Sequence, residues 1–229
     1  MTLTTNSQQK IYAIIPARAG SKRIKDKNLQ EIGGKSLIQW SIEAAQRCKG
    51  IELVVVSTDS EEYARHAESL GALALLRPPE LASDTATDED VLIHFYQHYP
   101  CDMCVFLRPT TPFRNEYFIE IAIQKMLAYR GRADSLRSVE EMVESAYKCF
   151  QIREGELKPI GCFMQVANLP NQLVAKTYRG NGYVDILFGP KWGERILSFI
   201  TPRTIEIDTE DDLEYARWAW NMKGKGVIL

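Results

Sequence analysis

No apolar run in this 229-residue chain approaches the roughly 20 residues needed to cross a bilayer, so no membrane span is expected. The first ten residues, MTLTTNSQQK, are polar and lack the apolar region of a signal peptide. A frayed tail over residues 1–9 and a cytoplasmic location are the matching expectations. Excess positive charge is missing too. The net charge is −2, which speaks against the broad basic face of a nucleic-acid binder. Histidine is scarce, at His66, His94 and His98. His94 and His98 have the i, i+4 spacing of a zinc pair without H-E-x-x-H, and no chemistry is assigned to them. The five cysteines, Cys48, Cys101, Cys104, Cys149 and Cys162, are odd in number and irregular in spacing. Cys101 and Cys104 are spaced like a zinc or redox pair, but no second pair or nearby His-x-x-x-His completes a site. Free buried thiols in a reducing cytosol are therefore expected. Also absent are G-x-x-x-x-G-K-S/T and G-x-G-x-x-G, which disfavours the common P-loop ATPase and NAD-dehydrogenase readings.

What is present is ordinary for a globular chain: 45% hydrophobic and 25% charged residues. The length suits one α/β domain with a sizeable core and at most a small appendage. KIYAIIP, IELVVVS, ALALLRP and DMCVFLRP read as buried strands. Between and after them stand helical patterns. Leu37, Ile38, Ser41, Ile42 and Ala45 share one face of the first. The second starts at Asp59 or Ser60 and stops at Gly71, the third is DTATDEDVLIHFYQHY, and the fourth is capped by Asn115 and ends near Gly131. This alternation predicts a mostly parallel sheet with helices on both faces. After Gly131 the rhythm changes to short strands and irregular loops, with REGELKP as a hairpin turn. Residues 132–195 are read as an antiparallel insertion in a domain formed by 10–131 and 196–229. ERILSFITP reads as a helix end or a strand. TIEID reads as a further strand, and the last helix runs from Thr209 to Gly224.

The most informative stretch follows the first strand. In IIPARAGSKRIKDKN, five cations (Arg18, Lys22, Arg23, Lys25 and Lys27) fall within ten residues around Gly20 and Ser21. Ligands of open α/β sheets bind beyond the carboxyl ends of strands, where this loop lies. Gly20 and Ser21 allow a curved backbone with exposed amides, an anion-binding nest, and the cations add charge around it. A polyphosphate is the fitting ligand. Arg23 and Lys25 are read as merely solvated.

This stretch resembles the signature of the CMP-sugar synthetases, the acylneuraminate cytidylyltransferases. VVVSTDSEEYARHAESLGA, LLRPPELASDTA, FLRPTTPFR and IEIDTEDDLEYA are similar to further blocks of that family, in its order, between Lys10 and Trp220. The resemblance implies a Rossmann-like, GT-A-like nucleotidyltransferase domain. It also implies a small antiparallel arm that makes a homodimer and reaches the partner's site. The implied reaction transfers CMP from CTP to the anomeric hydroxyl of a 2-keto-3-deoxy sugar acid, with Mg²⁺ required and pyrophosphate released. A nonulosonic, sialic-acid-like acceptor is expected. The alternatives are 3-deoxy-manno-octulosonate as acceptor, or a CTP-binding module without catalysis.

Carried onto this chain, the resemblance makes Arg18, Lys22 and Lys27 the catalytic cations. Ala17, Gly20, Ser21 and Asn28 join Arg18 and Lys27 in the nucleotide grip. Arg77, Ser83, Asp84, Thr85 and Ala86 are placed near cytosine and ribose, with helix capping the competing role for Ser83, Asp84 and Thr85. Glu206 and Asp208 are implied metal ligands, and their alternation with Ile205 and Ile207 puts both carboxylates on one strand face. Arg108, Thr110, Lys148 and Asn181 are implied sugar contacts, although Gly180 and Gly182 also permit a plain Asn-Gly hairpin turn. The chain departs from the family's pattern in places. Arg108 stands where glutamine is common, and Asp185 where an aromatic is. Asn171 replaces a sugar-binding arginine of some sialic-acid enzymes, a role in which Arg108 is expected to share.

Overall fold

The computed structural model describes residues 9–161 and 163–223. The tail over 1–8, Cys162 and the stop at Gly224 lie outside the described residues.

Strands β1 (Ile11–Pro16), β4 (Leu53–Thr58), β5 (Leu73–Leu76) and β6 (Met103–Phe106) form where the buried runs predict them. A small hairpin of β2 (Glu31–Ile32) and β3 (Lys35–Ser36) intervenes after β1. Helices α1 (Leu37–Arg47), α2 (Glu61–Ser69), α3 (Asp88–His98) and α4 (Glu116–Ala128) start at side-chain caps on Ser36, Ser60, Thr87 and Asn115. Each cap oxygen accepts a backbone N–H that the first helical turn leaves unpaired. The third helix is shorter than predicted. Thr87 forms its capping box with Asp90, so Ser83, Asp84 and Thr85 remain in the preceding loop.

The chain continues through β7 (Ser135–Glu141), β8 (Phe150–Arg153), β9 (Glu156–Pro159), α5 (Met164–Ala167), β10 (Tyr178–Leu187), β11 (Ile196–Ile200) and α6 (Glu210–Met222). Among the described residues, seven strands form one sheet in the order β11-β7-β10-β6-β1-β4-β5. Only β10 runs antiparallel to its neighbours, β6 and β7. Side chains alternate between the faces, as a two-residue period demands. Ala13, Ile15, Val54, Val56, Met103 and Val105 pack with α1, α2 and α4. Ile14, Val55, Cys104 and Phe106 pack with α3 on the other face. A third cluster joins Ile24 of the cationic loop to Ile207 and to Leu213 and Ala216 of α6. No helix among the described residues is long and apolar enough to cross a membrane.

Three expectations change. Residues 132–195 are not all appendage, because β7 and the end of β10 lie inside the main sheet. The protruding part is narrower, about 142–177, and carries the β8–β9 hairpin on a Glu154–Gly155 turn with both φ positive. TIEID joins no strand. It is an extended crossing segment whose Ile207 N donates to Thr110 O at 2.8 Å. Asn181–Gly182 is not a hairpin turn but a bulge within β10. From Gly180 to Asp185 that strand advances five residues, while β7 advances two, from Val139 to Arg137. ERILSFITP, left between helix and strand by the sequence, supplies β11.

Candidate active site

The loop after β1 begins at Ala17, buried and donating through its N–H to Ser57 O, and continues into Ala19, whose N–H binds Asp59. Asn28 closes it. Its buried amide donates to Arg18 O at 2.9 Å, so this residue folds the loop back on itself. Gly20 has φ +72° and is exposed, the curvature the nest requires. Arg23 and Lys25 are exposed, as expected of solvated cations.

Lys27 makes the contact that assembles the site. Its Nζ donates to Ile207 O at 3.2 Å and to Asp208 Oδ1 at 3.1 Å. Residues 181 positions apart thereby meet, and the side chain is only 15% exposed. Ile24 and Ile207 pack beneath this contact, so apolar burial holds the two charged segments face to face.

Across the loop, Arg18 Nη1 donates to Ser83 O at 3.2 Å and to Asp84 Oδ1 at 3.0 Å. Lys22 pairs with the other oxygen of Asp84. Hydrogen bonds from Lys22 and then Arg18 lower the Asp84 pKa below its ordinary value. A cleft of about 290 Å³ lies between these groups, lined among others by Arg18, Lys27, Asn28, Arg77, Ser83, Asp84, Ala86, Arg108 and Thr110. Most of the expected nucleotide grip therefore converges. Ala17, Gly20, Ser21, Lys22 and Thr85 are not among the lining residues, and the Thr85 hydroxyl sits against Ser83 Oγ. Arg77 is a buried brace: it donates to Ser57 O at 2.9 Å and Leu81 O at 3.2 Å, and desolvation lowers its pKa.

A second cleft, about 480 Å³, opens beside the acidic segment. Glu206, Asp208, Asn181, Glu140, Arg179 and Arg203 are among its walls. Glu206 is exposed as a residue, yet its carboxylate is crowded by protein at the mouth of the cleft. That partial desolvation, with the charge of Asp208, pushes its pKa up. Glu206 makes no hydrogen bond or ion pair to another described residue, and its carboxylate borders Gly182. At that glycine φ is +63°, and a Cβ would meet Thr111 Oγ1 at 3.1 Å and Glu206 Oε1 at 3.5 Å. The β10 bulge thus gives the carboxylate its space.

The expected sugar contacts are arranged differently from the sequence reading. The guanidinium of Arg108 is committed at both ends, Nη1 to Asp185 at 2.5 Å and Nη2 to Asp88 at 2.6 Å. Arg108 and Asp185, two separate departures in sequence, are thus one buried ion pair, with Arg137 also 3.4 Å from Asp185. Asn181 is buried. Its Nδ2 donates to Thr201 Oγ1 at 2.7 Å and its Oδ1 accepts from Tyr183 N, so it shapes a wall. Lys148 lies on the protruding segment, beside Glu144, and lines neither cleft. Asn171 is tied to Val143 O at 3.0 Å.

Arg114 is the residue that sequence reasoning passed over, although it closes FLRPTTPFR. It is buried without a carboxylate partner. It donates to the carbonyls of Arg108, Thr111, Gly182 and Tyr183 and to Ser41 Oγ. Desolvation pushes its pKa down to about 9. It fastens the loop after β6 to the β10 bulge.

The clefts can hold a polyphosphate on one side and a polar molecule on the other, with two carboxylates between. A family model described as cytidylyltransferase matches residues 12–152. The chain is 44% identical over 116 residues to an N-acylneuraminate cytidylyltransferase of Escherichia coli O18:K1:H7, covering 50% of this chain and 28% of that protein. It is 42% identical over 121 residues to a CMP-N,N'-diacetyllegionaminic acid synthase of Legionella pneumophila, covering 50% and 52%. An N-acylneuraminate cytidylyltransferase of Streptococcus agalactiae serotype V is 31% identical over 216 residues, covering 89% and 51%. The chain thus spans about half or less of the length of these relatives. In fold it is similar to a CMP:2-keto-3-deoxy-manno-octonic acid synthetase complexed with CTP. That likeness has a TM-score of 0.73 at 19% identity and covers 93% of this chain and 99% of the other. A 4-diphosphocytidyl-2C-methyl-D-erythritol synthase from Anaerococcus prevotii gives 0.64 at 12%, covering 93% and 97%. The match over 12–152 takes in the cationic loop, the base-side loop and the Arg108 segment together, and the relatives named bear out the resemblance to CMP-sugar synthetases: the chain belongs to the cytidylyltransferase family.

Proposed function

We propose that this chain transfers CMP from CTP to the anomeric hydroxyl of a nonulosonic, sialic-acid-like sugar acid. The observation that carries the reading is the Lys27–Asp208 contact, which joins the cationic loop lining one cleft to the acidic edge lining the next. The names of the relatives support a nine-carbon acid as acceptor.

The anomeric hydroxyl gives up its proton to solvent as its oxygen attacks the α-phosphorus, the bond from that phosphorus to the bridging oxygen breaks, and pyrophosphate leaves with the negative charge. Arg18, Lys22 and Lys27 take up that charge, which is electrostatic stabilisation by groups already in place. The triphosphate replaces Asp84 as the partner of Arg18 and Lys22. Gly20 and Ser21 offer backbone amides to the phosphates, Ala17 anchors the loop through its bond to Ser57 O, and Ser83 and Ala86 border the base and ribose.

Mg²⁺ fits the donor set. Glu206 and Asp208 offer hard oxygens, and no group of three or more metal-ligating side chains occurs among the described residues. One or two carboxylates completed by phosphates and water are the usual provision for this ion. When bound, it draws charge from the phosphate and acidifies the hydroxyl. Asp208 and Glu206 are the residues that would hold it.

The protruding segment supports a homodimer. Val143, Ile152, Phe163 and Leu173 are each at least 70% exposed, an apolar surface that a lone chain would leave in water. Lys148, which lines neither cleft of its own chain and pairs with Glu144, would then serve the partner's. A cytoplasmic setting, where CTP is found, belongs to the same reading.

The test is pyrophosphate release from CTP with Mg²⁺ and three acceptors: N-acetylneuraminate, N,N'-diacetyllegionaminate and 3-deoxy-manno-octulosonate. Turnover with a nine-carbon acid is expected. Preference for the octulosonate would replace the acceptor, and CTP binding without release from any acid would leave only a binding module.

A further inference from the structure

The 480 Å³ cleft falls within the size range of small-molecule sites, and it is roomier than the neighbouring space around Arg108, about 260 Å³. Four carboxylates and two guanidinium groups line the larger cleft: Glu140, Glu206, Asp208 and Asp212, with Arg179 and Arg203. Most of these charges are already matched. Buried Glu140 accepts from Arg179 Nε and Nη2 through one oxygen and from Thr204 N through the other. Asp212 serves the N-terminus of α6, accepting from the backbone of Asp208 and Thr209. Asp208 faces Lys27. Unmatched are Glu206, Arg203 and the Nη1 of Arg179, since Arg203 is exposed and makes no hydrogen bond or ion pair to another described residue.

The backbone around Arg203 is nevertheless fixed. Thr201 N donates to Val139 O at 3.0 Å, Thr204 N to Glu140 at 3.3 Å, and Pro202 restricts the turn between. Arg203 is thus a free fork on a pinned stem. Two residues, Thr204 and Ile205, separate it from Glu206, so the two backbones are at most about 10 Å apart. A ring closed from a 2-keto sugar acid carries its carboxylate on the same carbon as its anomeric hydroxyl. A group that grips the carboxylate must stand near the reaction centre without occupying it, and Arg203 shares its cleft with Glu206 and Asp208.

We infer that Arg203, seconded by Nη1 of Arg179, binds the acceptor's carboxylate and aims its anomeric hydroxyl at the α-phosphate. This rests on the cytidylyltransferase reading above. It takes the role expected of Arg108 away from that residue, whose two amino ends are occupied by Asp88 and Asp185. A planar guanidinium matches a carboxylate bidentately, which a lysine ammonium cannot.

The test is steady-state kinetics of pyrophosphate release with Arg203→Ala and Arg203→Lys. The acceptor is whichever of the three acids the native chain turns over best, together with its C1 methyl ester. Arg203→Ala should raise the acceptor KM about 10- to 100-fold and leave the KM for CTP within about twofold. Arg203→Lys should recover part of the loss, since it keeps the charge and loses the fork. The native chain should discriminate acid from ester by a similar factor, and Arg203→Ala should erase most of that discrimination. An unchanged acceptor KM in an active enzyme, or equal rises for both substrates, overturns the inference and leaves the proposed reaction standing. Native protein that releases pyrophosphate with no acid overturns both.

Discussion

At Asp84 two cations of the phosphate loop, Arg18 and Lys22, converge on one carboxylate. An incoming triphosphate competes with that carboxylate. Asp84→Asn should tighten CTP binding by up to about fivefold at low salt, a gain that fades as salt screens the charges. Titration calorimetry at two ionic strengths reads both effects, and weaker binding in the variant would show Asp84 contacting the nucleotide instead. Glu206 gives a prediction with pH. In the folded chain its pKa lies above the ordinary 4.5, raised by desolvation and by Asp208. Stability linked to this group is complete below the unfolded value and is lost as pH rises through the folded one. Glu206→Gln should therefore match the native chain in Tm near pH 4 and exceed it at pH 7. A gap that is equal at both pH values would mean that charge is not the cause.

At the scale of elements, the β10 bulge decides the shape of the acceptor side. Gly182 holds φ +63°, with Thr111 and Glu206 against the place of its missing Cβ. Gly182→Ala should cost about 1–2 kcal/mol of stability through its left-handed backbone. It should also lower turnover by pressing on Thr111 Oγ1, the tight neighbour at 3.1 Å. Urea unfolding and pyrophosphate release measure the two separately, and a fully stable, fully active variant would show that the bulge tolerates a side chain. Helix starts were legible because capping chemistry is local: Ser60, Asn115 and Thr209 cap where the sequence places them. The start of α3 was misplaced because Ser83, Asp84, Thr85 and Thr87 are all competent caps. The choice of Thr87 came with its reciprocal partner Asp90.

At the scale of the molecule, the sheet is nearly all parallel and the candidate site lies beyond β1 and β6. The protruding segment 142–177 exposes apolar side chains away from that site. A double variant, Ile152→Glu with Phe163→Glu, should run as a monomer where the native chain runs as a dimer, by light scattering coupled to size exclusion. If Lys148 serves the partner's site, turnover should fall with dimer content. A native chain that is monomeric at micromolar concentration would remove the arm from the reaction.

By itself, the sequence determined the strand–helix alternation and the cationic loop that follows β1. These depend on period, capping and local charge, all written in contiguous residues. Only the tertiary structure decided which polar side chains are available to ligands. Arg108 is spent on Asp185, Asn181 on Thr201, and Arg77 on backbone carbonyls, while Arg203 stands free. An ion pair between residues 77 positions apart leaves no local trace, because it is set by how the sheet brings β6 and β10 side by side.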